Sequence, residues 1–326
     1  MNPYWGKNFF EFFATLFSRI AHGEFFSLAA DEVQMAVLSI VAISCGLIGP
    51  FLVLKRMTLF ANSLSHTILL GIALAYILAS TLWGGTLFAL STLLIGAFIA
   101  ALLTALLTEG LVRLFRLQED ASIGLVFTAL FALGITVVTL FTRDVHLGTE
   151  AVMGNVDALQ ASDLKIASFF TALNLIVVWL CYRPFQLASF DRGLAQTLGI
   201  KCSLYHFLLL FLAAATCIGA FRAIGVLLVL AFLVGPYLIA RLFCHRLPFL
   251  LLWSSLIGIL ASCTGVALAR HILTVYGLPL STGGIVASLI GVFYIVAVIV
   301  KNMMSRLIMN QSGGSAPRCP ESGSGS

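Results

Sequence analysis

Long apolar stretches alternate with short polar connections along most of the chain. A helix needs about 20 predominantly apolar residues to cross a bilayer, and about nine stretches approach or exceed that length. The sixth and seventh are short and close together, so a broken helix there would change the number, and about eight to ten spans are expected. The pattern predicts an all-α, polytopic bundle of membrane-spanning helices. The predicted spans lie near residues 34–54, 58–80, 86–108, 122–142, 166–182, 204–221, 223–243, 248–269 and 284–300.

The two ends of the chain differ from this apolar centre. Residues 1–32 are rich in phenylalanine but are interrupted by Glu11, Arg19 and Glu24. That mixture is unlike a cleaved signal peptide and predicts an amphipathic helix lying in the membrane interface. Residues 303–326 end in a segment rich in Ser, Gly and Pro and predict a disordered tail. The transmembrane domain is therefore expected over residues 33–302.

The composition agrees with a membrane domain. Hydrophobic residues make up 60% of the 326 residues and charged residues 10%, with a mean hydropathy of +1.08. Soluble domains are about 25% charged, so the partner that the surface requires is membrane lipid. The net charge of +5 is modest, and in such a chain it reports orientation rather than nucleic-acid binding.

Lysine and arginine predict which ends of the spans face the cytoplasm. With the N-terminus outside and the C-terminus in the cytoplasm, the cytoplasmic segments receive twice as many of these residues as the outer ones. The cytoplasmic residues are Lys55, Arg56, Arg113, Arg116, Arg183, Arg192, Lys201, Arg241, Arg246, Lys301, Arg306 and Arg318. The outer residues are Lys7, Arg19, Arg143, Lys165, Arg222 and Arg270.

A polar pair lies near the start of the second predicted span. Asn62 and His66 are four residues apart, which places them on one face of a helix. At 1.5 Å per residue, His66 lies about 12 Å into the membrane. A neutral imidazole and an amide oxygen both ligate divalent metals, and polar groups inside a bilayer often mark a solute path. The alternative is a histidine that hydrogen-bonds to a neighbouring helix for packing.

The predicted cytoplasmic segment Phe190–Gly199 contains a second pattern. Asp191 is placed to cap a short helix. Ala195 and Gly199 give that helix small residues at positions i and i+4, which suits close packing into a groove of a partner. An ordinary connecting helix is the alternative.

Two further segments contain glycine and proline near the ends of spans. Gly235 and Pro236 lie inside the seventh span and predict a kink or a break, which is either a packing feature or part of the lining of a path. Residues 277–284 predict either a re-entrant loop or a tight turn before the last span.

The outer loop over residues 143–164 carries Asp144, His146 and Glu150. These residues suit contact with an extracytoplasmic partner better than a metal site. The sequence contains no HExxH, GxSxG or P-loop motif. Catalysis, and ATP hydrolysis in particular, is therefore not expected of this chain.

Several of these segments, taken in order, resemble the membrane permeases of bacterial ABC importers for manganese, zinc and iron. Gly46–Met57 is similar to the first span and turn of that family, and Ser63–His66 resembles its D-A-L-S-H motif. Glu119–Gly124 resembles its E-D-A-x-I-G motif, and Phe190, Asp191, Ala195 and Gly199 fall where the family has its ATPase-coupling helix. The stretches 225–236 and 277–285 also match, so the resemblance covers about residues 32–300.

The resemblance implies a permease in the cell inner membrane that works with three partners. These are an ABC ATPase subunit, an extracytoplasmic metal-binding protein and a second permease subunit, either a copy of this chain or a homologous one. It implies no permanently bound cofactor; the metal ion, Mn, Zn or Fe, is the substrate. In that family the aspartate and histidine of D-A-L-S-H form the membrane metal site. His66 matches the histidine, but Asn62 stands where the aspartate would be.

An amide oxygen is neutral and a weaker ligand than a carboxylate. One account of this departure is that a different permease subunit supplies the carboxylate. The runner-up function is a secondary transporter driven by protons or sodium. Such proteins usually carry intramembrane carboxylates, and no Asp or Glu falls well inside a predicted span.

Overall fold

The computed structural model describes residues 3–22, 29–83, 90–141 and 154–312. Within these ranges the chain forms twelve α-helices and one short 3₁₀ helix, Val156–Ala158. Nine helices in this part of the chain are long and apolar enough to cross a membrane, as the hydropathy pattern predicts. The α-helices are α1 Phe9–Ala21, α2 Ala30–Leu54, α3 Thr58–Trp83, α4 Leu90–Leu114, α5 Glu119–Phe141, α6 Ala161–Leu180, α7 Tyr182–Phe190, α8 Arg192–Thr197, α9 Cys202–Ile224, α10 Val226–Phe243, α11 Leu247–Tyr276 and α12 Thr282–Ser312.

Helix α2 lies at the centre of the bundle and packs against α6, α9, α10 and α11. Glycine permits the closest of these approaches, because a side chain at Gly49 would collide with the backbone carbonyl of Leu233 in α10. On another side, Ser254 of α11 donates a hydrogen bond to the carbonyl of Gly46 over 2.8 Å. Such close backbone contacts are typical of helices that associate inside a membrane.

Helices α3, α4 and α5 form a second group, in which α3 packs along both neighbours. The hydroxyl oxygens of Thr67 in α3 and Thr104 in α4 lie 3.0 Å apart and share a hydrogen bond in a fully buried position. Helix α9 joins the two groups because it contacts α2, α3 and α4.

The break in the second half of the chain falls at Gly225, between α9 and α10. Gly225 has φ +82°, a left-handed conformation that glycine adopts at low cost. Of the kink or break that was predicted at Gly235 and Pro236, the break does not occur, since α10 is helical through both. Neighbouring helices support the proline there: Pro236 is buried, and a side chain at Gly235 would collide with Ile290 of α12.

Two predicted boundaries move. Helix α12 continues to Ser312, so residues 303–312 are helical where the tail was expected to begin at 303. Helix α4 continues to Leu114, beyond the predicted end at 108, and therefore includes Glu109. Residues 277–281 form a short non-helical connection between α11 and α12, with Gly277 in the left-handed conformation at φ +64°.

Helix α1 forms within the N-terminal segment for which an amphipathic helix was predicted. The hydroxyl of Tyr4 donates to the carboxylate of Glu32 in α2 over 2.6 Å, and Arg19 pairs with the same carboxylate at 3.1 Å. Burial raises the pKa of the Tyr4 hydroxyl, and the bond to Glu32 raises it further. These contacts attach α1 to the start of α2.

Candidate functional site

The structure places Asn62 and His66 on one face of α3, about one and two turns after the helix begins. His66 is half-buried, and Asn62 is exposed on the surface of the single chain. The hydroxyls of the neighbouring serines are not exposed alongside this pair. Ser63 and Ser65 are both buried, and Ser65 donates to the backbone carbonyl of Asn62 over 2.6 Å. The two predicted ligands are therefore adjacent, and one of them faces outward.

Two phenylalanines of α5 cover the imidazole of His66. The ring centroids of Phe127 and Phe131 lie 5.2 and 5.1 Å from that of His66, and the two phenyl rings stack at 5.8 Å. This aromatic wall limits the orientations of the imidazole and keeps water from its covered side. The signal in the sequence was the i, i+4 spacing of the phenylalanines in the fourth span.

His66 and Asn62 supply two metal ligands, whereas a divalent ion usually binds about four to eight. Among the described residues, no group of three or more His, Cys, Asp or Glu side chains is placed to hold a metal. In the described part of a single chain, His66 and Asn62 therefore provide too few ligands to complete the coordination of a divalent ion. The remaining outer-loop candidates, Asp144, His146 and Glu150, lie outside the described residues.

The segment after α7 forms a capped helix, as predicted. The carboxylate of Asp191 accepts a hydrogen bond from the amide of Leu194 over 3.0 Å and caps α8. The predicted outward stripe of small residues is wrong, however. Ala195 is fully buried, and Gly199 lies beyond the end of α8 with φ +74°.

The exposed side chains of this segment are apolar instead. Phe190, Leu194 and Leu198 are 59%, 48% and 62% exposed, and they are spaced four residues apart. Leu194 and Leu198 were not among the residues predicted to contact a partner, although the i, i+4, i+8 apolar pattern of the segment indicates them. A short capped helix with an exposed apolar side is suited to pack into a groove of a partner protein.

The opposite face of the bundle, predicted to be the outer one, contains an open pocket of about 500 Å³ lined by both polar and apolar residues. Gln34 of α2 donates to the carboxylate of Asp157 over 3.0 Å, and the hydroxyl of Thr282 in α12 donates to the same carboxylate over 2.5 Å. Asp31 and Arg270 form an ion pair at its edge. These contacts hold the 3₁₀ helix against the ends of α2 and α12.

A second buried polar contact lies toward the face of the bundle that is predicted to be cytoplasmic. The Nε2 atom of His206 in α9 lies 3.1 Å from Oε2 of Glu109 in α4, and the two side chains are 8% and 14% exposed. The predicted span near residues 86–108 ends just before Glu109, and the predicted span near residues 204–221 begins just before His206. Neither residue carries a local signal that it meets the other.

A bundle of membrane-spanning helices with a half-buried histidine in one span, and with a capped helix at one face, is typical of a membrane-embedded transport subunit. The profile of the ABC 3 transport family matches residues 31–301. The chain belongs to this family, and so is a membrane permease component of an ABC transporter.

Curated relatives agree with this assignment over most of the chain. A probable metal transport system membrane protein of Chlamydia muridarum is 40% identical over 297 residues, covering 90% of this chain and 93% of the relative. The manganese transport system membrane protein MntD of Bacillus subtilis is 36% identical over 271 residues, covering 78% and 86%.

Solved structures agree with the fold. PsaBC from Streptococcus pneumoniae, in complex with Fab, aligns with a TM-score of 0.68, 24% identity and coverage of 87% of this chain and 95% of that one. At this identity the likeness concerns the architecture of the helices.

Proposed function

We propose that this permease conducts a divalent transition metal ion, Mn, Fe or Zn, across the inner membrane in an ATP-driven importer. The observation that carries the proposal is the position of His66 and Asn62. An imidazole and an amide share one face of the membrane-spanning helix α3, and two phenylalanine rings lie against the imidazole. A dehydrated cation is prohibitively unstable in lipid. Side-chain donors must therefore replace its water along the path.

The ligand set is completed across an interface with a second permease subunit. The exposure of Asn62 supports this arrangement, because a polar side chain in a span is expected to face protein or a water-filled cavity rather than lipid. A homologous subunit that carries a carboxylate would compensate for the neutral amide of Asn62. A second copy of this chain would instead provide another histidine and another amide.

The ATPase subunit docks at the predicted cytoplasmic face, on α8. The exposed side chains of Phe190, Leu194 and Leu198 form the apolar contact, and the buried Ala195 anchors α8 to the rest of the chain. ATP binding and hydrolysis by the ATPase move α8 and rock the spans, so that access to His66 alternates between the two sides of the membrane.

An extracytoplasmic metal-binding protein delivers the ion to the opposite face. The polar contacts around Asp157 support a firm docking platform there, since Gln34 and Thr282 hold the segment 154–158 on two spans. This orientation places the N-terminus outside and the C-terminus in the cytoplasm, in agreement with the distribution of lysine and arginine.

Replacing His66 tests the proposal directly. Proteoliposomes that contain the permease, its partner subunits and the binding protein are loaded with ATP on the ATPase side, and ⁵⁴Mn uptake is measured. We expect His66→Ala to reduce uptake at least about tenfold, because the imidazole ligand is lost. The matched control is His271→Ala, a half-buried histidine of α11 near the predicted outer face.

Three outcomes separate the possible functions. ATP-dependent uptake that is lost in His66→Ala and kept in His271→Ala supports an importer with His66 on the path. Uptake that is independent of ATP would favour a secondary transporter. ATP-dependent uptake unchanged in His66→Ala would remove His66 from the path.

A further inference from the structure

The proposed function does not use the contact between Glu109 and His206. The carboxylate of Glu109 nevertheless has three hydrogen-bonding partners. Oε2 of Glu109 accepts from Nε2 of His206, while Oε1 accepts from Ser203 of α9 over 3.3 Å and from Arg113 over 2.6 Å. Hydrogen bonds to an ionised group are stronger than neutral ones, so this carboxylate joins α4 firmly to the first two turns of α9.

The first turns of α9 directly follow the proposed ATPase-docking helix. Between α8 and α9 the amide of Gly199 donates to the carbonyl of Gln196, and the amide of Ile200 donates to the carbonyl of Ala195, each over 3.0 Å. The connection is therefore a closed turn rather than a slack loop. A displacement of α8 reaches Ser203 and His206 with few freely rotating bonds in between.

The other side of α4 contacts the helix that carries His66. Thr104 lies five residues before Glu109 in α4 and shares its buried hydrogen bond with Thr67 of α3. Thr67 immediately follows His66. Named contacts thus run without interruption from α8 through α9 and α4 to the backbone of the proposed metal ligand.

We propose that Glu109 and His206 form a clasp through which α9 moves α4 and α3 when the ATPase displaces α8. The inference rests on the proposed function. Glu109 and His206 are positioning residues, since neither reaches the metal ligands. The clasp has a specific consequence. Without it, the ATPase still docks and hydrolyses ATP, but less of the displacement of α9 reaches His66, because only the direct packing of α9 on α3 and α4 remains.

The measurement is the number of ⁵⁴Mn ions imported per ATP hydrolysed by the complete assembly in proteoliposomes. We expect His206→Ala to lower this ratio at least about fivefold while ATP hydrolysis stays within about twofold of wild type, since the contact between the moving helices is cut. His206→Gln places an amide donor near the position of Nε2 and should restore most of the ratio. Glu109→Gln, which keeps the shape and loses the charge, provides a second test of the same contact.

Asn174→Ala is the matched control. Asn174 is fully buried in α6 and donates to Ser44 over 2.5 Å and to Thr216 of α9 over 2.6 Å, so its loss also removes buried hydrogen bonds that hold α9. Thermal unfolding measures the structural damage in each variant. If the clasp transmits the motion, Asn174→Ala should lose about as much stability as His206→Ala but keep the wild-type number of ions imported per ATP.

The proposal is overturned if His206→Ala keeps the wild-type ratio, if His206→Gln is no better than alanine, or if Asn174→Ala lowers the ratio equally. In a double-mutant cycle, removing both Glu109 and His206 should lower the ratio no further than removing one; additive losses would also contradict the clasp. A wild-type assembly without ATP-driven uptake overturns the proposed function first and the clasp with it, and that failure is visible in the wild-type arm alone.

Discussion

At the scale of single residues, the chemistry of the proposed site depends on the amide of Asn62. The side chain lies one turn from His66 on the same face of α3, and it is exposed in the single chain. Asparagine and aspartate have nearly the same shape, so their exchange changes the charge of the ligand and little else. The position therefore allows the contribution of charge to metal binding to be measured.

We expect Asn62→Asp to tighten binding of Mn²⁺ by the assembly about tenfold, which corresponds to about 1.4 kcal/mol, because a hard divalent ion prefers a carboxylate to a neutral amide. Calorimetric titration of the assembly in detergent measures the affinity. Asn62→Ala, which removes the donor, should weaken binding. Equal affinity in all three proteins would show that Asn62 is not a ligand.

At the scale of elements, α8 shows how one short helix combines two tasks. Its N-terminus is capped by Asp191, and its buried side, at Ala195, packs on the chain, while Leu194 and Leu198 remain exposed. An exposed apolar pair on so short a helix is costly in water and gains stability only when a partner covers it. The two leucines should therefore contribute much of the docking energy.

We expect Leu194→Asp to weaken association with the ATPase at least about tenfold, because a charge would be desolvated in an apolar interface. Co-purification of the ATPase with the permease from membranes measures the effect. Gln196→Asp introduces the same charge at an exposed position of the same helix and serves as the control. Loss of the ATPase in both variants would point to general damage of α8 rather than to a contact at Leu194.

At the scale of the whole molecule, the described part of the chain is a scaffold with incomplete sites. Helices α2 and α9 are largely buried, whereas α5, α6 and α12 are mostly exposed. The two proposed ligands lie near the surface of the single chain, and the metal clusters that a closed site requires are missing from the described ranges. Tight metal binding should therefore belong to the assembly.

This gives a prediction for the intact transporter. The permease purified alone should bind Mn²⁺ at least about tenfold more weakly than the assembly with its second permease subunit, since each lost ligand removes a substantial part of the affinity. Titration at matched detergent and salt concentrations compares the two. His66→Ala should remove the advantage of the assembly. An isolated chain that binds as tightly as the assembly would contradict a shared site.

The sequence by itself determined the class, the family and the approximate number of spans. Hydropathy over about 20 residues is a local property, set by the bilayer thickness and the need to satisfy backbone hydrogen bonds within a helix. The i, i+4 relation of Asn62 and His66 was equally local, and so was the cap formed by Asp191. Each of these features depends on residues that are close together in the chain.

The tertiary structure decided what depends on neighbours distant in sequence. Pro236 remains inside a continuous helix because α10 is supported by other spans, while the chain breaks at Gly225 instead. Ala195 is buried by the rest of the bundle, so the exposed side of α8 is apolar rather than small. Glu109 meets His206 only because α4 and α9 pack together. No local pattern encodes such a contact, since it arises from the packing of whole helices.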